Sequence, residues 1–359
     1  MKKLFVTLLL VNSFFLWCGT YAQNIPGRWT PEAASSWYNQ FPWLAGCDYI
    51  PATAINQIEM WSEDSFDPKT IDRELTWAEE LGFNTMRVFL SSVVYSHDPS
   101  GMKKRIDKFL GICHNHGITP LFVFLDDCWN PESTYGKQPS PKPGIHNSGW
   151  VQDPSVSLRA DTVQLYASLE KYVTDIISTF GHDPRVLLWD LYNEPGNGSH
   201  FGKSLPLLRK MFLWARKCHP IQPLTAGIWN LDDAYMQLNI FQLENSDIIS
   251  YHNYNSVDDH EREIKYLRLL GRPLVCTEYM ARKFHSTFHD VMPLLKKYKV
   301  AAINWGLVSG KTNTIFSWGD PRPDGKEPTL WFHDILRQDG TPFRKDEVDT
   351  IKALTDKQN

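Results

Sequence analysis

Short apolar runs alternate with amphipathic stretches from about Pro42 to the end of the chain. Most of the apolar runs are rich in β-branched and aromatic residues and lack a clean alternation of polar and apolar positions. This pattern is typical of strands that are buried on both faces of a parallel sheet. It predicts eight strands: Trp43–Ile50, Thr85–Ser91, Thr119–Leu125, Val186–Tyr192, Leu224–Trp229, Ile248–His252, Leu274–Thr277 and Ala301–Leu307.

Helical periodicity fills the intervals between these predicted strands. Asp67 followed by Pro68 has the form of a helix N-cap with proline at the first helical position, and Gly82 closes the apolar stripe that follows. A longer stripe predicts a helix over Val163–Phe180. Further helices are predicted near Lys103–His116, Leu205–Cys218, Asp259–Leu270 and Phe288–Tyr298.

Eight strands that alternate with helices predict an α/β fold, a single (β/α)8 TIM barrel, in preference to two doubly wound domains. The chain also lacks the glycine-rich dinucleotide fingerprint that would favour a doubly wound fold. We therefore expect residues 23–359 to form one catalytic barrel domain. The loop-like stretch Pro139–Gly144 falls after the third strand, and such strand-to-helix loops build the active face of a barrel.

Residues 1–22 have the form of a signal peptide. A positively charged start precedes the apolar run Leu4–Trp17, and a small-x-small pattern ends at Ala22, where we expect cleavage. The run is too short for a comfortable membrane span, and no later stretch is apolar enough for one. Cys18 follows a tryptophan rather than a small residue. We therefore expect a secreted or periplasmic soluble protein in preference to an anchored lipoprotein.

Composition and net charge indicate which classes of ligand the protein is expected to bind. The formal net charge of −4 argues against a basic nucleic-acid groove. Fourteen tryptophans in an exported chain fit a carbohydrate binder, because flat rings stack on sugars, although several are equally expected in the core. The five cysteines outside the predicted leader show neither a disulfide framework nor metal-ligand spacing. We expect a monomer that needs no metal, cofactor or disulfide.

Polar and aromatic residues follow the predicted strands directly. Because a (β/α)8 barrel places its active site at the carboxyl ends of its strands, we expect these residues to meet. In strand order they are Arg87, then Asp126, Asp127 and Trp129, then Asn193 and Glu194, then Trp229, then His252 and Tyr254, then Glu278, and finally Trp305 with Trp318.

Two glutamates in this series, Glu194 and Glu278, follow the fourth and seventh strands. Glycoside hydrolysis needs two carboxyl groups, and a separation of roughly 5–5.5 Å allows one of them to attack the sugar directly, with retention of configuration. The ends of these two strands face each other across part of a barrel mouth. Proximity is expected to raise the pKa of the acid, while Arg87 and Tyr254 are expected to keep Glu278 ionised.

The ordered series resembles clan A of the retaining (β/α)8 glycoside hydrolases, and most of all its family-five, cellulase-like branch. The resemblance covers nearly all of the chain after the predicted leader. Asn193-Glu194-Pro195 matches the Asn-Glu-Pro motif of the clan, which implies that Glu194 is the acid/base and that Asn193 holds the sugar 2-hydroxyl. Glu278 matches the nucleophile of the clan on the seventh strand.

The same resemblance assigns supporting roles. It implies that Arg87 braces the nucleophile, that His252 and Tyr254 form a His-x-Tyr pair whose tyrosine binds the nucleophile, and that Trp305 is the floor beneath the sugar in subsite −1. Two of these residues have plainer interpretations. Arg87 would equally suit a structural ion pair, and His252 a core histidine with satisfied hydrogen bonds.

One departure from the family pattern lies after the third strand. Family-five enzymes commonly carry a histidine there, whereas this chain has Asp126-Asp127. Either carboxylate is a candidate to bind a substrate hydroxyl in subsite −1, as exo-acting relatives often do. Trp129, Trp229 and Trp318 lie in strand-to-helix loops and suit sugar platforms or packing equally.

The resulting hypothesis is double-displacement hydrolysis of β-glycosidic bonds in a poly- or oligosaccharide. Glucan, mannan and xylan enzymes share this catalytic set, so the sugar stays open. An exo-acting β-glycosidase or transglycosylase of the same clan is an alternative, because the loops Asn130–Gly149 and Ser309–Leu330 would either wall off or extend a cleft. A glycan-binding barrel without catalysis is the alternative from another class.

Overall fold

The computed structural model describes residues 25–356, so the predicted signal peptide lies outside the described residues. All eight predicted strands form, and their pairing is parallel throughout. They are β1 (Ala45–Asp48), β2 (Thr85–Phe89), β3 (Thr119–Val123), β4 (Trp189–Asp190), β5 (Leu224–Thr225), β6 (Ile249–His252), β7 (Leu274–Glu278) and β8 (Ala301–Trp305).

The strands close into a barrel in the order β5-β4-β3-β2-β1-β8-β7-β6. First and last strands pair directly, with Cys47 of β1 opposite Asn304 of β8. A parallel bridge between Ile228 and Tyr251 joins the continuation of β5 to β6 and completes the ring. The expected (β/α)8 barrel fold is therefore confirmed. In this ring β4 lies diametrically opposite β8.

Helices follow the strands and cover the outside of the barrel. Within residues 25–356 none of them is both long enough and apolar enough to span a membrane. The α-helices are α1 (Pro31–Tyr38), α2 (Gln57–Trp61), α3 (Pro68–Glu80), α4 (Ser92–His97), α5 (Pro99–Asn115), α6 (Val156–Arg159), α7 (Thr162–Phe180), α8 (Leu205–Lys217), α9 (Met236–Asn245), α10 (Val257–Leu267), α11 (Val291–Lys297) and α12 (Lys345–Thr355).

Local sequence explains where the predicted helices begin. The Asp67 side chain accepts a hydrogen bond from the backbone N–H of Thr70 at 3.1 Å and caps α3, as the Asp-Pro pair predicts. Asp161 caps α7 in the same way. The six predicted helices all form, with ends that differ by a few residues from the predicted ones.

Helix α9 was not predicted, because two of its four buried positions are polar and interrupt the apolar stripe. Gln242 donates to the carbonyl oxygen of Gly227, and the side-chain oxygen of Asn245 accepts the backbone N–H of Ile25 at 2.8 Å. These amides satisfy backbone groups at the end of β5 and at the start of the described chain. Helical periodicity in hydrophobicity alone does not reveal such a face.

The two short strands, β4 and β5, end earlier than predicted. The chain stays extended beyond them, since Leu191 N–H donates to the carbonyl of Thr225 at 2.8 Å and Asn193 N–H donates to that of Leu125 at 2.7 Å. Regular pairing stops there, and Glu194, which follows Asn193, has a φ of 45°. This irregular segment is the one that carries the Asn-Glu-Pro motif.

Apolar side chains close the opposite end of the barrel. Ala34 of α1 packs with Leu121, Leu188 and Ile303, which are buried near the beginnings of the strands. With this end filled by hydrocarbon, the polar interior of the barrel lies towards the carboxyl ends of the strands. The strand-end residues therefore share one mouth.

Candidate active site

A cavity of about 580 Å³ opens at the carboxyl end of the strands, a size usual for a small-molecule site. Ten of the twelve predicted site residues line it: Asp126, Trp129, Asn193, Glu194, Trp229, His252, Tyr254, Glu278, Trp305 and Trp318. The other two, Arg87 and Asp127, lie behind this surface.

Glu278 ends β7 and is 5% exposed. Its Oε1 accepts a hydrogen bond from Arg87 Nη1 at 2.9 Å, and its Oε2 accepts one from the Tyr254 hydroxyl at 2.6 Å. Both groups occupy the positions that the sequence predicted. A guanidinium and a hydroxyl donor each favour the ionised form of a carboxyl group.

Arg87 is fully buried at the centre of an ion-pair network. Besides Glu278, its guanidinium binds Asp48 at 2.8 Å, Asp190 at 2.9 Å and the side-chain oxygen of Asn193 at 2.7 Å. Four partners fix the orientation of the guanidinium. The brace on Glu278 and the structural ion pair, weighed as alternatives from sequence, are thus the same network.

Glu194 follows β4 and adopts a φ of 45°, in the left-handed region that residues other than glycine rarely occupy. Its Oε2 accepts from the Asn197 side-chain amide at 2.6 Å and from the Cys128 thiol at 3.2 Å. Its Oε1 lies 2.9 Å from Nδ1 of His252. Burial raises the pKa of Glu194 above the ordinary value of a carboxyl group.

His252 lies between the two glutamates. Its Nδ1 is 2.9 Å from Oε1 of Glu194 and 3.6 Å from Oε2 of Glu278. Burial lowers the pKa of His252 to about 4, so the ring is neutral at neutral pH. Its Nε2 has no partner among the described residues, which sets it apart from a core histidine with satisfied hydrogen bonds.

The two carboxyl groups are close. One oxygen of Glu194, one oxygen of Glu278 and a ring nitrogen of His252 all lie within 4.8 Å of one another. A water molecule placed between the carboxyl groups for an inverting reaction needs roughly 6.5–9.5 Å. The separation therefore suits direct attack by one of the two on a sugar held between them.

The surroundings of the two glutamates differ in charge. Burial raises the pKa of Glu278, while the Arg87 cation and the hydrogen bond from Tyr254 lower it. Only neutral donors contact Glu194 directly, whereas Glu278 touches the Arg87 cation. The contact with Arg87 therefore favours the ionised form of Glu278 over that of Glu194.

Asp126 reaches the cavity, and Asp127 does not. Oδ1 of Asp126 accepts from the Asn193 amide at 2.8 Å, and its Oδ2 accepts from Trp150 Nε1 at 2.7 Å. Burial raises the pKa of Asp126 to about 6. Asp126 thus remains a candidate to bind a substrate hydroxyl.

Asp127 makes structural contacts instead. It accepts hydrogen bonds from the Tyr192 hydroxyl at 2.7 Å, the Gly196 N–H at 2.7 Å and the Ser204 hydroxyl at 2.6 Å, and it pairs with Arg159. These donors occupy both of its oxygens behind the Asn-Glu-Pro segment. Asp127 therefore holds the loop that carries Glu194, and of the two alternatives only Asp126 lines the cavity.

Aromatic rings surround the carboxyl groups. Trp305 is 9% exposed at the base of the cavity and packs edge-to-face on Trp150, with centroids 5.6 Å apart. Trp318 stands perpendicular to Tyr254 at 4.8 Å. Trp129 is 43% exposed and adopts a φ of 71°, so its bulky side chain is held in a rarely occupied backbone conformation. Strain of this kind is typical of functional positions.

Trp229 lies on the same side of the cavity as Glu194. Its Nε1 donates to the carbonyl of Pro195 at 3.2 Å, which ties the ring to the segment that carries the acid/base candidate. The ring also packs edge-to-face on Tyr235 at 4.9 Å. Trp229 therefore both packs against its neighbours and lines the cavity.

The cavity has further lining residues that the sequence did not predict, among them Cys128, His146, Asn147, Trp150, Asn197 and His333. Cys128 and Asn197 lie within three positions of predicted site residues, so proximity along the chain was an available signal. The other four lie deep in the loops after β3 and β8. Nothing in their local sequence shows which way they face.

Comparison by sequence finds no relative: no protein-family profile and no curated protein matches the chain. Comparison of structures does find similar proteins. An exo-β-1,4-mannosidase from Opitutaceae bacterium strain TAV5 aligns with a TM-score of 0.61 at 16% identity, over 87% of this chain and 59% of that protein. This chain thus spans less than two thirds of that mannosidase.

Two further structures have the same fold. The GH5_18 protein from Streptomyces cattleya, solved in complex with GlcNAc, aligns with a TM-score of 0.58 at 13% identity, over 87% of this chain and 79% of that one. An endo-1,4-β-D-mannanase from Thermotoga petrophila aligns with a TM-score of 0.55 at 15% identity, over 88% and 99%. The expected likeness to family-five barrels is confirmed at the level of the fold.

Proposed function

We propose that this chain is a retaining β-glycoside hydrolase in which Glu278 is the nucleophile and Glu194 is the acid/base. The observation that carries the proposal is the close carboxyl pair, whose oxygens lie within 4.8 Å, with a cation on one member and only neutral donors on the other. This asymmetry divides the pair into one ionised and one protonated group at the same pH.

The geometry supports double displacement. An oxygen of Glu278 forms a bond to the anomeric carbon as the bond to the leaving oxygen breaks, and Glu194 gives its proton to that oxygen. Glu194 then takes a proton from water, the water oxygen bonds to the anomeric carbon, and Glu278 leaves as a carboxylate. Arg87 and Tyr254 stabilise the charge that returns to Glu278.

The same three donors, Glu194, His252 and Glu278, have a spacing that suits a metal ion. Both oxygens of Glu278, however, already accept hydrogen bonds from Arg87 and Tyr254. A buried guanidinium beside the site also repels a divalent cation. We therefore propose hydrolysis by proton transfer and covalent catalysis, without a metal.

β-Mannosides are the first substrates to test. Structures of similar fold include an exo-β-1,4-mannosidase, an endo-1,4-β-D-mannanase and a GH5_18 variant solved with Manβ1-4GlcNAc. We propose a β-mannosidic bond as the preferred linkage on this basis. A panel of aryl β-mannosides, β-glucosides and β-xylosides tests it, and preference for another sugar would replace mannose without changing the chemistry.

Trapping the covalent intermediate tests the mechanism. An activated 2-deoxy-2-fluoro β-glycoside of the preferred sugar slows the oxocarbenium-like second step, so the glycosyl-enzyme accumulates. We expect mass spectrometry of peptides to place the added sugar on Glu278 and to find none in Glu278→Gln. Labelling of another residue, or an α-anomer as the first product by NMR, would contradict the proposal.

Catalysis is favoured over glycan binding alone because the complete set of charged groups is assembled around the pair. A binding protein has no need for a buried cation aimed at a carboxylate in the sugar site. Turnover of any aryl β-glycoside by the wild-type protein, lost in Glu194→Gln and in Glu278→Gln, separates the two. Saturable sugar binding without turnover would support the binding protein.

We further propose that the chain is exported and cleaved after Ala22, from the leader pattern of residues 1–22. Expression in a bacterial host and N-terminal sequencing of the periplasmic or medium fraction test this. A new N-terminus at Gln23 is expected. A lipid-modified Cys18, detected by mass, would instead indicate a membrane-anchored lipoprotein.

A further inference from the structure

Two long loops meet and form a wall on one side of the cavity. We call this the loop wall: residues 142–150 from the loop after β3 and residues 310–322 from the loop after β8. Backbone hydrogen bonds join the two segments, for example from Asn147 N–H to the carbonyl of Thr312 at 2.8 Å. Such bonds fix the two loops as one unit.

His146 holds the two segments of the loop wall together. Its Nδ1 donates to the carbonyl of Phe316 at 2.8 Å, and its Nε2 accepts from Trp318 Nε1 at 3.1 Å. The loop after β1 is tied to the same unit, since Lys311 N–H donates to the carbonyl of Ala52 at 3.1 Å. Hydrogen bonds thus join three strand-end loops along this side of the cavity.

Trp150 fills the base of this wall. It is 2% exposed and packs edge-to-face on Phe89 at 5.1 Å and on Trp305 at 5.6 Å. Behind these rings remains a void of about 10 Å³, at most the space of one water molecule. The neighbouring Gly149 is anchored as well, because its carbonyl accepts from the Asn56 side chain at 2.8 Å.

Ring topology shows which part of a substrate meets the loop wall. The leaving group must lie beside Glu194, which follows β4, because Glu194 protonates it. In the proposed reaction, the sugar that bonds to Glu278 lies at the end of β7, next to Trp305 at the end of β8, and β8 is opposite β4 in the ring. A chain that continued beyond this sugar, away from Glu194, would therefore run into the loop wall. Trp229 lies on the side of Glu194, since its Nε1 donates to the carbonyl of Pro195. Trp129, which is 43% exposed, packs on His146 with ring centroids 5.2 Å apart and so belongs to the side of the loop wall.

We infer that the enzyme is exo-acting and removes one sugar at a time from the non-reducing end of its substrate. The inference rests on the proposed function, since it locates the leaving group by Glu194. The closed side also offers polar groups to a terminal sugar. His333 is fully buried, its Nδ1 lies 2.6 Å from the Met280 carbonyl, and its Nε2 has no partner among the described residues. Because His333 lines the cavity, this nitrogen is an acceptor next to the terminal sugar.

Oligosaccharides labelled at the reducing end test exo action with the wild-type protein. The sugar series is the one whose aryl β-glycoside the enzyme hydrolyses, with β-1,4-manno-oligosaccharides first. We expect each labelled oligosaccharide to shorten by one residue per step, with unlabelled monosaccharide as the only other early product. Early release of a disaccharide or longer unlabelled fragment would overturn the inference and leave the proposed hydrolysis intact. Lack of turnover on every glycoside would overturn both.

A matched pair of substrates tests the closed side directly. One is an aryl β-disaccharide with a free non-reducing end, and the other carries a 4,6-O-acetal on the terminal sugar. In an exo pocket the acetal meets the loop wall, so we expect the kcat/KM for release of the terminal sugar to fall at least 100-fold. Equal rates for the two would overturn the inference.

Removing a side chain from the loop wall should restore activity on the acetal substrate. Trp150→Ala removes the ring at the base of the wall, and we expect it to regain turnover of the acetal substrate relative to the free one. Trp229→Ala removes a ring from the side of Glu194 and serves as the matched control, in which the block should persist. Should Trp150→Ala fail to fold, the wild-type substrate pair still decides the question.

Discussion

The thiol of Cys128 lies 3.2 Å from Oε2 of Glu194, the oxygen that also accepts the side-chain amide of Asn197. Cys128 is itself held by Asp126, whose Oδ1 accepts its backbone N–H at 2.9 Å. The end of β3 therefore helps to position the acid/base candidate at the end of β4. This contact has a measurable consequence for the pH dependence of activity.

Cys128→Ala removes a hydrogen bond that lowers the pKa of Glu194, against the larger raising effect of burial. The pKa of Glu194 should rise further, and the basic limb of the kcat/KM profile should move to higher pH. One lost hydrogen bond also predicts a fall in kcat of roughly 2- to 10-fold. Cys218→Ala, a thiol between α7 and α8, is the control and should leave the profile unchanged. An unshifted profile for Cys128→Ala would show that the thiol does not act on Glu194.

Tyr254→Phe removes the hydroxyl that donates to Glu278 at 2.6 Å but keeps the ring that packs on Trp318. This hydrogen bond lowers the pKa of Glu278, so its loss should move the acid limb of kcat/KM to higher pH. A hydrogen bond to a charged group is worth about 1.5–3 kcal/mol, which predicts a fall in kcat/KM of roughly 10- to 150-fold. Tyr166→Phe, in α7 where the ring packs on Trp214 of α8, should change neither quantity. A shift of the basic limb instead would reverse the roles of the two glutamates.

Arg87→Met should weaken the fold as well as the reaction. The substitution leaves Asp48, Asp190 and Glu278 buried without their cation. Breaking a buried pair in this way costs about 3–5 kcal/mol of the free energy of unfolding, to be measured by urea denaturation. Arg262→Met removes an exposed partner of Asp259 and should cost less than about 1 kcal/mol. Similar losses for the two variants would show that Arg87 contributes little to stability.

Glu74 on α3 gives a test of stability against pH. It is fully buried and accepts hydrogen bonds from the Tyr49 hydroxyl at 2.9 Å and the Ala52 N–H at 3.2 Å, and burial raises its pKa to about 7. Because the folded-state pKa exceeds the unfolded one of about 4.5, its contribution is present below pH 4.5 and is lost as the pH rises through 7. Glu74→Gln does not titrate and lacks this loss.

Relative to Glu74→Gln, the wild-type free energy of unfolding should therefore fall by about 2–4 kcal/mol between pH 5 and pH 8. Any loss of hydrogen bonding in the variant is independent of pH and cancels in this comparison. Glu80→Gln, at an exposed position of the same helix, should run parallel to the wild type over this range. Parallel curves for Glu74→Gln as well would show that Glu74 is ionised in the folded protein.

The residues that line the cavity were predictable from the sequence because a barrel directs the carboxyl ends of all its strands to one mouth. Identifying the strands therefore identified the lining residues, and the structure places ten of the twelve candidates on the cavity. The Asp126-Asp127 pair was not resolved in this way. The chain leaves β3 at Val123, so regular alternation no longer indicates which of the two faces inward. Asp127 is the one that faces away from the cavity, because it contacts Tyr192, Gly196, Ser204 and Arg159.

Buried polar faces of helices were a second feature that the hydrophobic pattern did not predict. Helix α9 buries Gln242 and Asn245 because each amide satisfies a distant backbone group, and these partners are not visible in a hydrophobic pattern. The ends of β4 and β5 were overestimated for a related reason. Extended chain and regular pairing have the same local sequence, and only the neighbouring strand distinguishes them.

By itself, the sequence determined the barrel and the carboxyl pair, since both follow from local patterns: buried apolar runs, helix caps and the residues directly after each strand. Only the tertiary structure decided that the loops after β3 and β8 form one wall beside the cavity. That wall depends on contacts such as the one between His146 and Trp318, which lie 172 positions apart in the chain. No local pattern specifies such a contact, because it exists only once the barrel has brought the loops after β3 and β8 together.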